Sequence, residues 1–202
     1  MPTKGLRAKK DAEVKRAFFD SAMALFRQKG FEATSVDEIA ERAGYSRATY
    51  FNHFGSKKGV LRYYGQWLQE RIEKRLVEID PESSSVDRIR ELLFAMAREA
   101  DRHRDDLRLV YFHSVRDPDY LSGPTPARER VFETILDLVT QGQGEGLIRR
   151  DLSAREMAFH IFSLYHGAVL AVVSGVGTAE ATLGSAWPLI LEGVRDGDST
   201  TQ

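Results

Sequence analysis

Apolar residues along this chain recur three and four positions apart, and no stretch alternates apolar with polar at a period of two. That pattern predicts helices and no strands. Val14, Phe18, Ala22, Leu25 and Phe26 share one helical face over about 11–29, and Gly30 ends it. Val36, Ile39, Ala40 and Ala43 line a short second helix. Ser35 can cap it, and Glu38 stands three residues on, the spacing at which two side chains satisfy orphan amides reciprocally. Gly44 stops it, because glycine enters the left-handed conformation without steric cost. Ser46 caps a third helix at once. Ser56 caps a fourth, over about 56–80, lined by Leu61, Tyr64, Leu68, Ile72 and Ile79.

Later segments read the same way. Val86, Ile89, Leu93, Met96, Ala97 and Ala100 predict a fifth helix over about 86–103, followed by a charged turn over 101–106. A sixth, short and aromatic, reaches about 115, and residues 117–126 form the longest irregular stretch. Thr125 and Pro126 read as N-cap and first residue of a seventh helix, to about 141. Ser153 and Glu156 form a second capping box, opening an eighth helix that is apolar nearly all round and therefore covered on more than one side. A ninth runs over about 179–194, where Pro188 should bend it or delay its start. The fold class is all-α, with about nine helices.

Charge divides this helical chain in two. Residues 1–65 carry thirteen basic and seven acidic side chains, whereas the remainder carries sixteen and twenty-three, so a net charge of -1 conceals a basic head on an acidic body. A boundary near residue 55 follows: a head over 1–55, with a basic arm over 1–10, and a body over 56–202. The arm reads either as a solvated tail or as a segment that touches phosphate or the minor groove. The absence of cysteine excludes disulfides, Cys-based metal sites and thiol redox sensing. No apolar run reads as long enough to span a bilayer, and the basic N-terminus lacks a hydrophobic signal core, so a cytoplasmic location is expected.

The second and third helices, joined by Gly44, Tyr45 and Ser46, have the layout of a helix-turn-helix, whose second helix enters the major groove of DNA. An ordinary helical hairpin shares that local pattern; the basic head favours DNA. Arg47 can bond guanine, Asn52 adenine, and Thr49 can meet a thymine methyl or a phosphate, with Tyr45 in the turn before them.

From Ala17 to Leu61 the sequence resembles the TetR family of bacterial transcription regulators. The match includes Ala22, Phe26, the run from Gly30 to Ser35, Ile39, Ala40, the run from Ala43 to Thr49, Phe51, His53, Phe54, Ser56, Lys57 and Leu61. Beyond Leu61 only a layout of further helices is shared. The resemblance implies a repressor acting on double-stranded DNA as a homodimer, with a second half that binds a small ligand and forms the dimer. It also implies phosphate contacts from Ser35, Thr49, His53 and Lys57. Phe51 stands where the family usually has Tyr, and Tyr50 where a smaller aliphatic residue usually packs inward, which leaves open which of the two meets DNA.

In the body, Phe94, Phe112, His113, Tyr120, Phe132, Phe159, Tyr165 and His166 combine aromatic area with a few polar groups, the mixture a ligand pocket needs. A plain hydrophobic core is the alternative. The set lacks a basic cluster, which points to an apolar, aromatic or cationic ligand rather than a polyanion. Phe162, Val169, Leu183, Trp187 and Ile190 on the eighth and ninth helices are the expected dimer contacts. Other motifs dissolve on inspection. His103-Arg104-Asp105 is similar to a kinase catalytic triplet without its companion motifs. The glycines over 142–146 follow a helix rather than a strand and read as a helix end and turn. His160 and His166 are six apart and do not share a face as metal ligands would. No catalytic residues, cofactor or metal are expected, and a helical enzyme is the remote alternative. An architectural DNA-binding protein without a ligand is the nearer one, though the long acidic body argues for a separate sensing or assembly role.

Overall fold

The computed structural model describes residues 4–76, 79–114 and 126–194. Among the described residues there are nine helices and no strand: α1 Lys4–Lys29, α2 Val36–Ala43, α3 Arg47–Phe54, α4 Gly59–Leu76, α5 Ser85–Arg102, α6 Arg104–Ser114, α7 Pro126–Gly144, α8 Ala154–Ser174 and α9 Ala179–Val194. They group into two units. One holds the chain up to Tyr64 and α6 from Leu109 onward; the other holds residues 65–108 and the described residues from α7 on. Thus α4 and α6 each contribute to both units.

The first unit is built on α1. Phe18, Phe19, Ala22, Met23 and Phe26 are buried on it, and Ile39, Tyr50, Val60 and Leu61 join that core. Each buried large apolar side chain contributes about 1.5–3 kcal/mol. Helix α1 begins at Lys4, seven residues before the predicted start, so residues 4–10 of the basic arm are helical; residues 5–10 are exposed along it. Both predicted capping boxes form. Ser35 Oγ accepts from the Glu38 amide at 3.2 Å while the Ser35 amide donates to the Glu38 carboxylate at 2.9 Å. Ser153 and Glu156 repeat the arrangement at α8. Gly44 caps α2 at φ 75° in the left-handed region.

In the second unit, Leu92, Leu93, Ile135, Ile148, Ile161 and Leu183 are fully buried in one core drawn from α5, α7, α8, α9 and the α7–α8 connection. The charged run over 101–106 is not a turn: α5 reaches Arg102, α6 begins at Arg104, and only His103 separates them. Helix α7 continues to Gly144, so Gly142 lies inside it. A Cβ at Gly142 would stand 2.6 Å from Ile148 Cδ1 and from Ser85 Oγ, so glycine there serves a close approach rather than a stop. Helix α8 corrects the bilayer expectation: by length and composition alone its 21 residues suffice to cross a membrane. It packs as a core helix, burying Met157, Ala158, Ile161, Tyr165, Ala168, Val172 and Val173, while Phe159, Leu164 and Leu170 stay exposed. The irregular stretch over 117–126 falls almost wholly outside the described residues, so its reading as a loop is untouched.

Gly59 opens α4 under a constraint that periodicity does not reveal. A Cβ there would fall 1.8 Å from the Phe54 carbonyl oxygen, a backbone atom that cannot swing aside. Nothing lies within 4 Å of a Cβ built on Gly65, one and a half turns on in the same helix. Gly59→Ala should therefore destabilise the protein by about 2 kcal/mol or more. Gly65→Ala should be neutral or stabilising by up to about 1 kcal/mol. Chemical denaturation followed by circular dichroism checks both; equal effects would contradict the steric account.

Candidate nucleic-acid interface

Helix α3 is eight residues long, too short to be helical without support. Its support is Tyr50, the one residue it buries. The Tyr50 ring meets Phe18 of α1 edge-on at 5.2 Å between centroids, and its hydroxyl donates to the Lys57 carbonyl at 3.2 Å. Burial pushes the Tyr50 phenol pKa well up, so it stays neutral and a donor. Tyr45 at 5.3 Å and Phe54 at 6.0 Å complete the ring of aromatics around Phe18. With Tyr50 turned inward, the opposite face of α3 presents Arg47, Ala48, Phe51 and Asn52, all exposed. These are the residues α3 offers to a partner.

The structure sorts the sequence-predicted DNA residues accordingly. Arg47, Asn52 and Phe51 share the exposed face, and Tyr45 is exposed beside it in the turn. Tyr50 is fully buried and cannot touch DNA, which leaves Phe51 as the aromatic able to meet it. Thr49 is half-buried, its hydroxyl 2.8 Å from that of Ser46. Ser35 is exposed, but its amide and hydroxyl both engage the Glu38 carboxylate, so an anion there would displace a protein carboxylate. Lys29 also pairs with Glu38, and together these contacts hold that carboxyl down at about 2. His53 is half-buried with Nδ1 3.3 Å from Asp11 of α1.

Lys57 requires a correction. Its ammonium donates to the carbonyls of Phe31 at 2.8 Å, Thr34 at 3.0 Å and Glu32 at 3.3 Å, and lies 4.4 Å from the centre of the Phe31 ring. An ammonium has three protons, and all three are used on the α1–α2 loop. Where a phosphate contact was expected, Lys57 clamps the loop. His113, expected in a ligand pocket, stacks on Phe31 at 4.2 Å between ring centres. Burial, set against the Glu32 charge and assisted by Lys58 and Lys57, holds its pKa below the ordinary histidine value. Ala48 and Asp37 were missed by sequence reasoning. Ala48 follows from the inward turn of Tyr50; Asp37 of α2 bonds Arg47 of α3 at 2.5 Å.

The remaining ligand candidates do not converge. Phe112 and Phe159 are exposed, Tyr165 is buried, His166 is exposed with its ring against Phe162, and Phe132 is half-buried. Tyr120 lies outside the described residues. Phe94 lines a cleft. That cleft, of about 480 Å³, lies along α5 and is walled by Ile79, Arg90, Glu91, Phe94, Ala95, Arg98, Glu99, Arg102 and Glu180. Its walls are charged. Arg90 stacks on Phe94, and Arg98 faces Glu180 at 3.5 Å. Glu99, only 2% exposed, receives Arg71 and Arg102, each at 2.8 Å. Burial alone would raise its carboxyl, but the Arg71 hydrogen bond and charge, with Arg102 and His103, hold it below the ordinary value.

The dimer candidates also divide. Leu183, Trp187 and Ile190 are buried in the chain's own core, so they are not left exposed for a second copy; Phe162 and Val169 are half-buried. The apolar residues that α8 and α9 leave exposed are instead Phe159, Leu164, Leu170 and Leu189.

A family model described as bacterial regulatory proteins of the tetR family matches residues 18–64, the α1-to-α4 segment just described. The HTH-type transcriptional repressor KstR2 of Mycobacterium tuberculosis is 26% identical over 140 residues, 65% of this chain and 67% of that protein. The HTH-type transcriptional repressor DhaR of a Mycobacterium species is 25% identical over 163 residues, 78% and 81% of the two chains. Among solved structures, Thermus thermophilus FadR, a TetR-family transcriptional repressor in complex with lauroyl-CoA, is 28% identical with a TM-score of 0.63. The alignment covers 93% of this chain and all of that one.

If Lys57 clamps the loop, Lys57→Ala should cost about 1–3 kcal/mol of stability through the loss of its hydrogen bonds to three carbonyls. It should leave the salt dependence of DNA affinity unchanged, because no phosphate contact is lost. Denaturation and gel shifts at several salt concentrations check this; a slope reduced by about one ion would restore the phosphate role.

Proposed function

The chain belongs to the TetR family of bacterial regulatory proteins, and from that premise we propose that it is a transcriptional repressor released from its operator by an amphiphilic acyl-CoA ligand. The observation that carries DNA binding is the inward turn of Tyr50, which leaves Arg47, Ala48, Phe51 and Asn52 on one exposed face of a basic head. One eight-residue helix spans few base pairs, so two copies reading a palindrome supply the missing contacts. The exposed apolar residues Phe159, Leu164 and Leu170 on α8, with Leu189 on α9, support a homodimer. The site of action is the cytoplasm, where bacterial DNA lies. The relatives are regulators, and no catalytic role is proposed.

The ligand class rests on two supports. The FadR relative was solved with lauroyl-CoA, and the α5 cleft sets Arg90 with Ile79 and Phe94 beside Arg98 and Arg102, which pair with Glu180 and Glu99 until a ligand exchanges for those carboxylates. Guanidinium groups suit phosphate and thioester oxygens, while the apolar walls suit an acyl chain. This replaces the expectation of a purely apolar or aromatic ligand. Release runs through α4, which belongs to both units and carries Arg71, the partner of Glu99 in the cleft wall. A ligand shifts such an equilibrium only by its differential affinity for the two states, and hundredfold weakening of DNA binding requires about 2.7 kcal/mol.

Selection of bound DNA from a random pool tests the reading head: a two-fold symmetric consensus is expected, and no enrichment over competitor DNA would defeat the reading. Titration calorimetry tests the ligand. Lauroyl-CoA should bind and release the selected DNA, and Arg90→Ala with Arg98→Ala should weaken it about tenfold or more. A protein indifferent to lauroyl-CoA would remove the ligand class while leaving the DNA reading intact.

A further inference from the structure

We propose that Asp37 and Phe51 are positioning residues that hold the Arg47 guanidinium ready to read a guanine in each half-site. This rests on the reading of α3 as the DNA-reading helix.

Arg47 is the first residue of α3 and its side chain is 59% exposed, yet it does not wave in solvent. Its NH1 donates to Asp37 Oδ2 at 2.5 Å, from the first turn of α2. Its guanidinium carbon lies 5.2 Å from the centre of the Phe51 ring, one turn along α3. A planar cation is thus held at one corner by a carboxylate and set over the face of an aromatic. The contact at NH1 leaves the fork formed by Nε and NH2, and such a fork bonds O6 and N7 of guanine in the major groove. Arginine carries large rotamer freedom, and freezing it before binding removes that cost from the act of recognition.

The two supports differ in kind. Asp37 is 62% exposed, and an exposed ion pair contributes little to folding stability. Its carboxylate also stands on the face that would approach phosphate, where it opposes non-specific binding. Asp37 therefore raises discrimination in two ways: it orients the reader, and it weakens attachment to DNA that offers no guanine. Phe51 supplies the floor. Its ring meets Tyr50 edge-on at 5.8 Å, and Tyr50 is fully buried, so the floor is anchored in the head's core.

The test is selection from a random pool and gel-shift affinity with wild type, Arg47→Ala, Asp37→Asn, Phe51→Ala and Phe51→Tyr, each checked for an unchanged melting curve. Wild type should prefer guanine at one position of each half-site by about tenfold or more over any other base. Arg47→Ala should abolish that preference. Asp37→Asn should reduce it to about threefold or less while affinity for competitor DNA stays level or rises, a divergence that simple damage to the fold would not produce. Phe51→Ala should behave alike in preference, and Phe51→Tyr should retain it. An unchanged guanine preference in Asp37→Asn overturns the proposal, as does a wild-type consensus in which no base depends on Arg47. If wild type enriches no sequence, the DNA reading itself falls, and this proposal falls with it.

Discussion

Everything the head presents depends on burying one phenol ring. Helix α3 is below the length at which a helix persists in water. Tyr50 packed edge-on against Phe18 gives it the tertiary contact that keeps it helical, and the hydroxyl's bond to the Lys57 carbonyl keeps that burial from orphaning a polar group. Phe18 in turn is met by Tyr45 and Phe54, so the turn before α3 and the end of α3 are gathered on the same ring. Rotating Tyr50 outward would carry Arg47, Phe51 and Asn52 off their common face at once.

Around that ring pair the loops are held by polar contacts that leave little slack. Lys57 ties three carbonyls of the α1–α2 loop, and Gly59 lets α4 start against the Phe54 carbonyl. His113 covers the other participant, Phe31. The polar bonds do not add great net stability individually. Their effect is to remove alternatives: a loop with three carbonyls engaged by one ammonium has few other conformations of comparable energy.

The second unit applies a different device. Glu99 is a charge buried in the wall of the α5 cleft, tolerable because Arg71 and Arg102 meet its two oxygens. Trp67 stands edge-on to His103 at 4.6 Å and lies under Arg71 at 5.1 Å, so α4 and the α5–α6 junction share one polar and aromatic seam. A buried ion pair is costly to break on one side and worth little when replaced on both. It suits a place where helix position matters more than stability.

Local order was legible in the sequence. Helix periods, two capping boxes, the left-handed Gly44 and the division of charge all involve residues within a few positions of one another, so spacing alone determined the all-α class and the paired short helices. Which neighbour covers a given face is a non-local matter, and there the tertiary structure decided. Lys57 spends its protons on carbonyls 23 to 26 residues away, which no local pattern announces. Tyr50 and Phe51 are adjacent aromatics with equal local claims, and only the place of Phe18 turns one in and the other out. Leu183, Trp187 and Ile190 read as dimer contacts, yet α5 and α8 of the same chain bury them. The aromatics proposed as a pocket scattered for the same reason. Composition says how much apolar surface must be covered, and only packing says where the space between helices is left.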